Sequence, residues 1–94
     1  LIYRVVVSEF LKRRFASGKI PRHIVEKFES WVEAVEIDGL ETVRKVKGYH
    51  DEMLRGRLLG MRSIRLTRGW RAYYRINQND VEFVMVERID KHEY

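Results

Sequence analysis

Seven arginines fall between residues 53 and 79, at Arg55, Arg57, Arg62, Arg65, Arg68, Arg71 and Arg75, interleaved with Trp70, Tyr73 and Tyr74 and with no acidic residue among them. A guanidinium stays charged at any physiological pH and offers phosphate a rigid fork of donors, so selective use of Arg in one stretch points to a polyanion-binding surface. The chain then closes on Lys91-His92-Glu93-Tyr94. Histidine suits general acid–base work near neutral pH, lysine stabilises phosphate charge, and a positioned tyrosine hydroxyl donates or accepts a proton. Taken alone, such a tail reads as a frayed polar end. Beside a basic strand pair it can deliver these side chains to the same groove, and the combination points toward RNA chemistry.

The elements that must position these residues follow from the apolar spacing. Ile64 and Leu66, then Trp70, Ala72, Tyr74 and Ile76, then Val81, Phe83 and Met85 (or Val84 and Val86) alternate at period two, which predicts three strands. Thr67-Arg68-Gly69 makes a tight connection and Asn77-Gln78-Asn79-Asp80 a turn joining antiparallel neighbours. Alternation sends Ile64 and Leu66 to the core and Ser63 and Arg65 to the opposite face. In the next strand Arg71, Tyr73 and Arg75 share a face, away from Trp70. Antiparallel pairing then sets Arg65 near Arg71, where a bridging phosphate relieves their repulsion. The plainer alternative is a solvated basic face with cross-strand partners such as Glu82.

The N-terminal half reads as a strand followed by helices. Residues 2–7 are β-branched and aromatic apart from Arg4. Ser8 reads as an N-cap for a short helix with Phe10, Leu11 and Phe15 on one side, stopped by Gly18. After Pro21, the recurrence of Ile24, Val25, Phe28, Trp31, Val32 and Val35 predicts the longest helix, ending near Gly39. A third, shorter helix is expected from Leu40 to about Val46. Strand, helices and an antiparallel meander give an α+β domain whose helical layer buries one sheet face.

At 94 residues and 45% hydrophobic content, the whole chain, 1–94, is expected to form one small domain. A start at Leu1 rather than Met fits a chain that has lost its first residue or residues. A net charge of +5 favours an acidic partner without choosing which. The absence of cysteine excludes a disulfide framework and makes the reducing cytoplasm the expected location. No stretch approaches the ~20 apolar residues that span a bilayer, so no membrane role is expected. The segment from Gly48 to Gly60 is glycine-punctuated but lacks a Gly-Lys-Ser/Thr ending. His50 with Asp51 and Glu52 suggests metal ligation only weakly, because His23, His50 and His92 are scattered. No metal or other cofactor is expected.

Several segments, in this order and spacing, carry a resemblance to a known family: Leu54-Arg55-Gly56, Ser63-Ile64-Arg65-Leu66, Trp70-Arg71-Ala72-Tyr73-Tyr74-Arg75, and the terminal His92 and Tyr94. Over essentially its whole length the chain resembles the RelE superfamily of bacterial toxins from type II toxin–antitoxin pairs, especially its HigB- and RelE-like members. The resemblance implies a RelE-like fold, an N-terminal strand and two to three helices on a small, mainly antiparallel sheet. It also implies a ribosome-dependent mRNA endoribonuclease (mRNA interferase) that enters the A site, cuts the codon there, and is silenced by a cognate antitoxin. Members of the family use no metal; the ribose 2′-hydroxyl attacks the adjacent phosphate and expels the next 5′-oxygen.

Carried over by position, Arg65 matches the basic strand residue that contacts substrate, and Arg71 the active-site arginine after the aromatic residue. Lys91, His92 and Tyr94 match the C-terminal catalytic segment, with His92 as acid or base and Tyr94 stacking or transferring a proton. Arg55, Arg57, Arg62, Arg68, Trp70, Tyr73 and Arg75 are the expected RNA-binding set. The expected partners are the antitoxin, the ribosome with its rRNA, and mRNA, with the toxin monomeric inside a toxin–antitoxin complex. Two alternatives stand beside this: a ParE-like inhibitor of DNA gyrase on the same fold, and a non-catalytic RNA-binding module.

Overall fold

The computed structural model describes residues 1–78 and 82–91. Strand Val5–Val7 (β1) leads into helices Glu9–Ala16 (α1), Arg22–Asp38 (α2) and Leu40–Val43 (α3). A 3-10 turn at Lys47–Tyr49, a two-residue strand Glu52–Met53 (β2) and a second 3-10 turn at Gly56–Leu58 follow, before strands Arg62–Thr67 (β3), Trp70–Asn77 (β4) and Phe83–Lys91 (β5). The strands form one sheet in the order β1-β5-β4-β3-β2. Every pairing is antiparallel except β1 on β5, which is parallel. This is the expected α+β arrangement of an N-terminal strand and helices on a mainly antiparallel sheet.

One face of the sheet meets the helices. Ile64, Leu66, Ala72, Tyr74, Val84, Val86 and Ile89 are buried there against Leu11, Ile24, Phe28, Trp31 and Val35. The α2 contribution repeats at three- and four-residue steps, which makes one apolar stripe. Each such fully buried side chain contributes roughly 1.5–3 kcal/mol, whereas an exposed ion pair contributes about 0–1 kcal/mol; burial therefore decides how α2 docks. A file of rings, Phe15 to Phe28 to Trp31 to Tyr74, with centroids 5.8, 6.2 and 5.5 Å apart, crosses the core from α1 to β4.

α1 begins as its cap predicts: the Leu11 N–H donates to Ser8 Oγ at 3.1 Å, while the Ser8 hydroxyl donates to the Glu87 carbonyl at 2.7 Å. Pairing of β1 stops at Val7, and α1 continues along β5 in its place. Arg14 Nη1 donates to the Ile89 carbonyl at 2.7 Å and to Asp90 Oδ1 at 3.0 Å, so a side chain satisfies a strand-edge acceptor. α2 ends at Gly39, whose φ of 87° favours glycine and where an added Cβ would stand 3.2 Å from the Tyr3 ring.

Four elements differ from the sequence expectation. β5 runs on from Phe83 to include Lys91, and it is Val84 and Val86, not Phe83 and Met85, that enter the core. β1 covers only Val5–Val7; Ile2 instead turns into the core, and its carbonyl accepts from the Leu40 N–H at 2.8 Å. α3 stops at Val43 because the next amides bond three residues back, Lys45 to Thr42 and Val46 to Val43, tightening the chain out of the α-helix. β2 has no counterpart in the expectation: two exposed residues carry no apolar alternation to reveal them.

Candidate functional site

Strand register builds the site. Arg65 lies opposite Arg71 across β3 and β4, and Arg71 lies opposite Asp90 on β5. One row along, Glu52, Ser63, Tyr73 and Arg88 stand in line across β2, β3, β4 and β5. These residues share the sheet face turned away from the helices, because cross-strand partners project to the same side.

Arg71 is held on this face from two directions. Its Nη1 donates to Ser63 Oγ at 3.0 Å, and its Nη2 lies 3.7 Å from Glu52 Oε1. Glu52 is also 3.6 Å from His50 Nε2. His50 has φ 46°, a left-handed conformation that ends the 3-10 turn and directs the chain into β2. A carboxylate and an imidazole therefore adjoin the fixed guanidinium of Arg71, which faces Arg65, whose side chain is exposed and has no hydrogen bond or ion pair among the described residues. Such a group can accept a proton at Glu52 or His50 and offset charge on a phosphate at Arg65 and Arg71.

Adjacent to Glu52, Asp51 points the other way. Its side chain is only 1% exposed; Arg62 Nε donates to its Oδ1 at 2.7 Å and the Tyr74 hydroxyl to its Oδ2 at 2.5 Å. Burial, then the hydrogen bond and charge of Asp51, push the Tyr74 hydroxyl well above the usual phenol range. For Arg62, burial works against the charged form, but the Asp51 hydrogen bond and charge outweigh it and raise the guanidinium above its ordinary value. This trio pins β2, and strand alternation then turns Glu52 toward Arg71.

The expected residues divide accordingly. Arg65, Arg71, Tyr73 and Arg75 occupy the non-helical face. Arg62 does not: two residues from Ile64 on β3, it lies on the core side as a half-buried ion-pair partner beside α3. Arg75 Nε pairs with Glu87 Oε1 at 3.1 Å, while Glu82, the suggested partner for the arginines, lies 3.7 Å from the N-terminal amine of Leu1. Trp70 packs against the core, so its ring is on the side away from Arg71. Lys91 pairs with Trp70, one register step from the Arg71 and Asp90 pair, and thus projects from the helix-side face at the strand end. Arg55 and Arg57 are exposed around the second 3-10 turn, and Arg68 is exposed in the β3–β4 hairpin. His92 and Tyr94 lie outside the described residues.

The face is also less open than alternation alone suggests. Residues 56–61 lie over part of it, where Leu58 and Met61 line a cavity with Tyr73, Arg88 and Asp90. Phe10 joins them on the α1 side, with the Arg88 guanidinium 5.6 Å from its ring centroid. Of the facing pair, Arg65 is exposed, whereas the Arg71 side chain is only 13% exposed, tucked against Ser63 and Glu52. Sequence reasoning missed His50 and Glu52 as members of this group, having considered them only for metal ligation. The available signal was their position at the edge of the acid-free run.

No family model and no curated protein matches the chain. Solved structures do. The YoeB/ParE toxin from Agrobacterium tumefaciens superposes with a TM-score of 0.71 at 18% identity, covering 96% of this chain and 99% of that one. YafQ from E. coli strain BL21(DE3) gives a TM-score of 0.71 at 16% identity, covering 93% and 90%. The toxin–antitoxin complex RelBE2 from Mycobacterium tuberculosis provides a chain at TM-score 0.62 and 23% identity, covering 98% and 100%. Matched over nine-tenths or more of both chains in each case, the chain has the fold of these toxin structures.

Proposed function

We propose that the protein is the toxin of a type II toxin–antitoxin pair and a ribosome-dependent mRNA endoribonuclease. The observation that carries this reading is the cross-strand pair Arg65 and Arg71, with Arg71 fixed by Glu52 and Ser63. A base takes the proton of the ribose 2′-hydroxyl, whose oxygen attacks the adjacent phosphorus. The 5′-oxygen of the following nucleotide leaves with a proton from an acid, and a 2′,3′-cyclic phosphate remains. Arg65 and Arg71 offset the extra negative charge of the pentacoordinate phosphorane. Glu52 and His50 supply proton acceptors and donors on the described face; His92 and Tyr94, with Lys91 reaching from the opposite face at the end of β5, complete the proposed catalytic set. Exposed Arg55, Arg57 and Arg68, with Tyr73 and Arg75, are the proposed flanking contacts to message and rRNA.

A cognate antitoxin is the proposed protein partner, since similar folds occur in the YoeB-YefM complex from Staphylococcus aureus and the DinJ-YafQ complex from E. coli. No helix among the described residues is long and apolar enough to cross a membrane.

The test is primer extension on a defined message in a purified translation system, with and without ribosomes, comparing the native chain with Arg71→Ala and His92→Ala. Ribosome-dependent cuts at A-site codons, lost in both variants, are expected. The second reading, inhibition of DNA gyrase, takes its support from the ParE designation of one similar structure. Intact message together with blocked gyrase supercoiling would replace the nuclease reading with that one. RNA binding that survives His92→Ala and fails only on charge reversal at Arg65 and Arg71, without cleavage, would indicate a binding module.

A further inference from the structure

β2 pairs with β3 only at Arg62 and Ser63, so the β3 edge beyond is left to the 3-10 turn Lys47–Tyr49 and to α2. There Lys27 and Ser30 of α2, Gly48 and Tyr49 of the turn, and Arg65 of β3 line a cavity of about 280 Å³. Among the described residues its lining has two cations and no carboxylate. Neither Lys27 nor Arg65 makes a hydrogen bond or ion pair among the described residues, whereas Arg62, Arg71 and Arg75 each have a carboxylate close by. Two like charges facing one hollow repel each other, and an anion held between them relieves that cost. Tyr49 adds a ring that is half-buried against the core, so it is already oriented before any ligand arrives. At Gly48 no atom lies within 4 Å of where a Cβ would stand, which leaves main chain bare to an approaching group.

We propose that this cavity is a nucleotide subsite. It rests on the RNA reading above and extends it around the β3 edge: Lys27 and Arg65 hold the phosphodiester of the nucleotide adjoining the one over Arg71, and Tyr49 packs against its base. Arg65 belongs to both surfaces, the sheet face through its register with Arg71 and the cavity through its lining. Single-strand recognition combines a cationic track with aromatic platforms, and this hollow supplies one of each.

The experiment is an NMR titration of the full chain with a 2′-O-methyl tetranucleotide, which cannot be cleaved, repeated at several salt concentrations. The amides of Gly48, Tyr49 and Arg65 should shift together. Lys27→Ala, a change at an exposed helical position, should weaken binding about 5- to 10-fold and reduce the log–log salt slope by about 0.7, the loss of one single-strand phosphate contact. Tyr49→Phe should bind as the native chain does, and Tyr49→Leu should bind about 5-fold or more weakly. Shifts that leave Gly48 and Tyr49 unmoved, or an unchanged affinity after Lys27→Ala, would overturn the assignment. So would equal shifts from polyglutamate at the same charge concentration, because the hollow would then be a general anion patch. Cleavage is scored separately: Lys27-dependent binding with intact message keeps the subsite and removes the nuclease reading, and normal cleavage with Lys27-independent binding does the reverse.

Discussion

Arg65 and Arg71 face each other directly across β3 and β4, yet only Arg71 is anchored, by Ser63 and Glu52. Like charges directly opposite in a sheet are destabilising. Arg65→Ala should therefore leave the unfolding free energy within about 0.5 kcal/mol of native or raise it, while RNA affinity falls. Arg71→Ala should lower the single-turnover cleavage rate about 10²- to 10³-fold, the usual cost of removing one preorganised charge stabiliser. Equal rates for Arg71→Ala and the native chain would remove Arg71 from the chemistry.

Asp51 is the buried acceptor for both Arg62 and Tyr74. Asp51→Ala should cost about 1–3 kcal/mol in urea unfolding, because it leaves the buried Tyr74 hydroxyl without its acceptor. Arg75→Ala, which breaks a pair whose arginine is 56% exposed, should cost about 0–1 kcal/mol. Comparable losses in the two variants would contradict the structural role assigned to Asp51.

Alkaline pH should single out Tyr74. Its hydroxyl is raised above the ordinary value of 10.0 by burial first and then by Asp51, so the folded state holds the proton more tightly than the unfolded chain. That contribution is fully present below pH 10 and is lost as pH rises above it. The native chain should lose stability relative to Tyr74→Phe with a slope approaching about 1.4 kcal/mol per pH unit. Parallel stability curves for the two proteins above pH 10 would show that the phenol is not held this way.

Ser8 bonds both into α1 and across to Glu87. Ser8→Ala should lower stability by about 1–2 kcal/mol, combining a lost N-cap with a lost cross-chain hydrogen bond. A melting temperature equal to the native one would show that neither bond contributes.

The residues explain how much was legible in advance. Period-two alternation located β3 and β4 and set Arg65 beside Arg71, because one-residue phase errors would have exposed Ile64 and Tyr74. The three-to-four spacing of Ile24, Phe28, Trp31 and Val35 likewise fixed α2. The alternation of Arg62 with Ile64 already placed it on the core side, apart from Arg65 and Arg71. Glu52 and His50, by contrast, were missed. β2 exists through its pairing to Arg62 and Ser63 and through the buried bonds of Asp51, and tertiary contacts of that kind leave no local periodicity to read.

The parallel pairing of β1 with β5 joins distant parts of the chain, and the Ser8 to Glu87 bond spans 79 residues. β5 sits between β1 and β4 and supplies Val84, Val86 and Ile89 to the core, so the sheet cannot close until that strand has been synthesised. Before then α1 and α2 are amphipathic segments without a surface to cover, and the β3–β4 hairpin alone is marginal in water. Such non-local closure slows folding relative to a helical bundle. A nascent chain that has not yet released β5 therefore carries Arg65 and Arg71 without the scaffold that orients them.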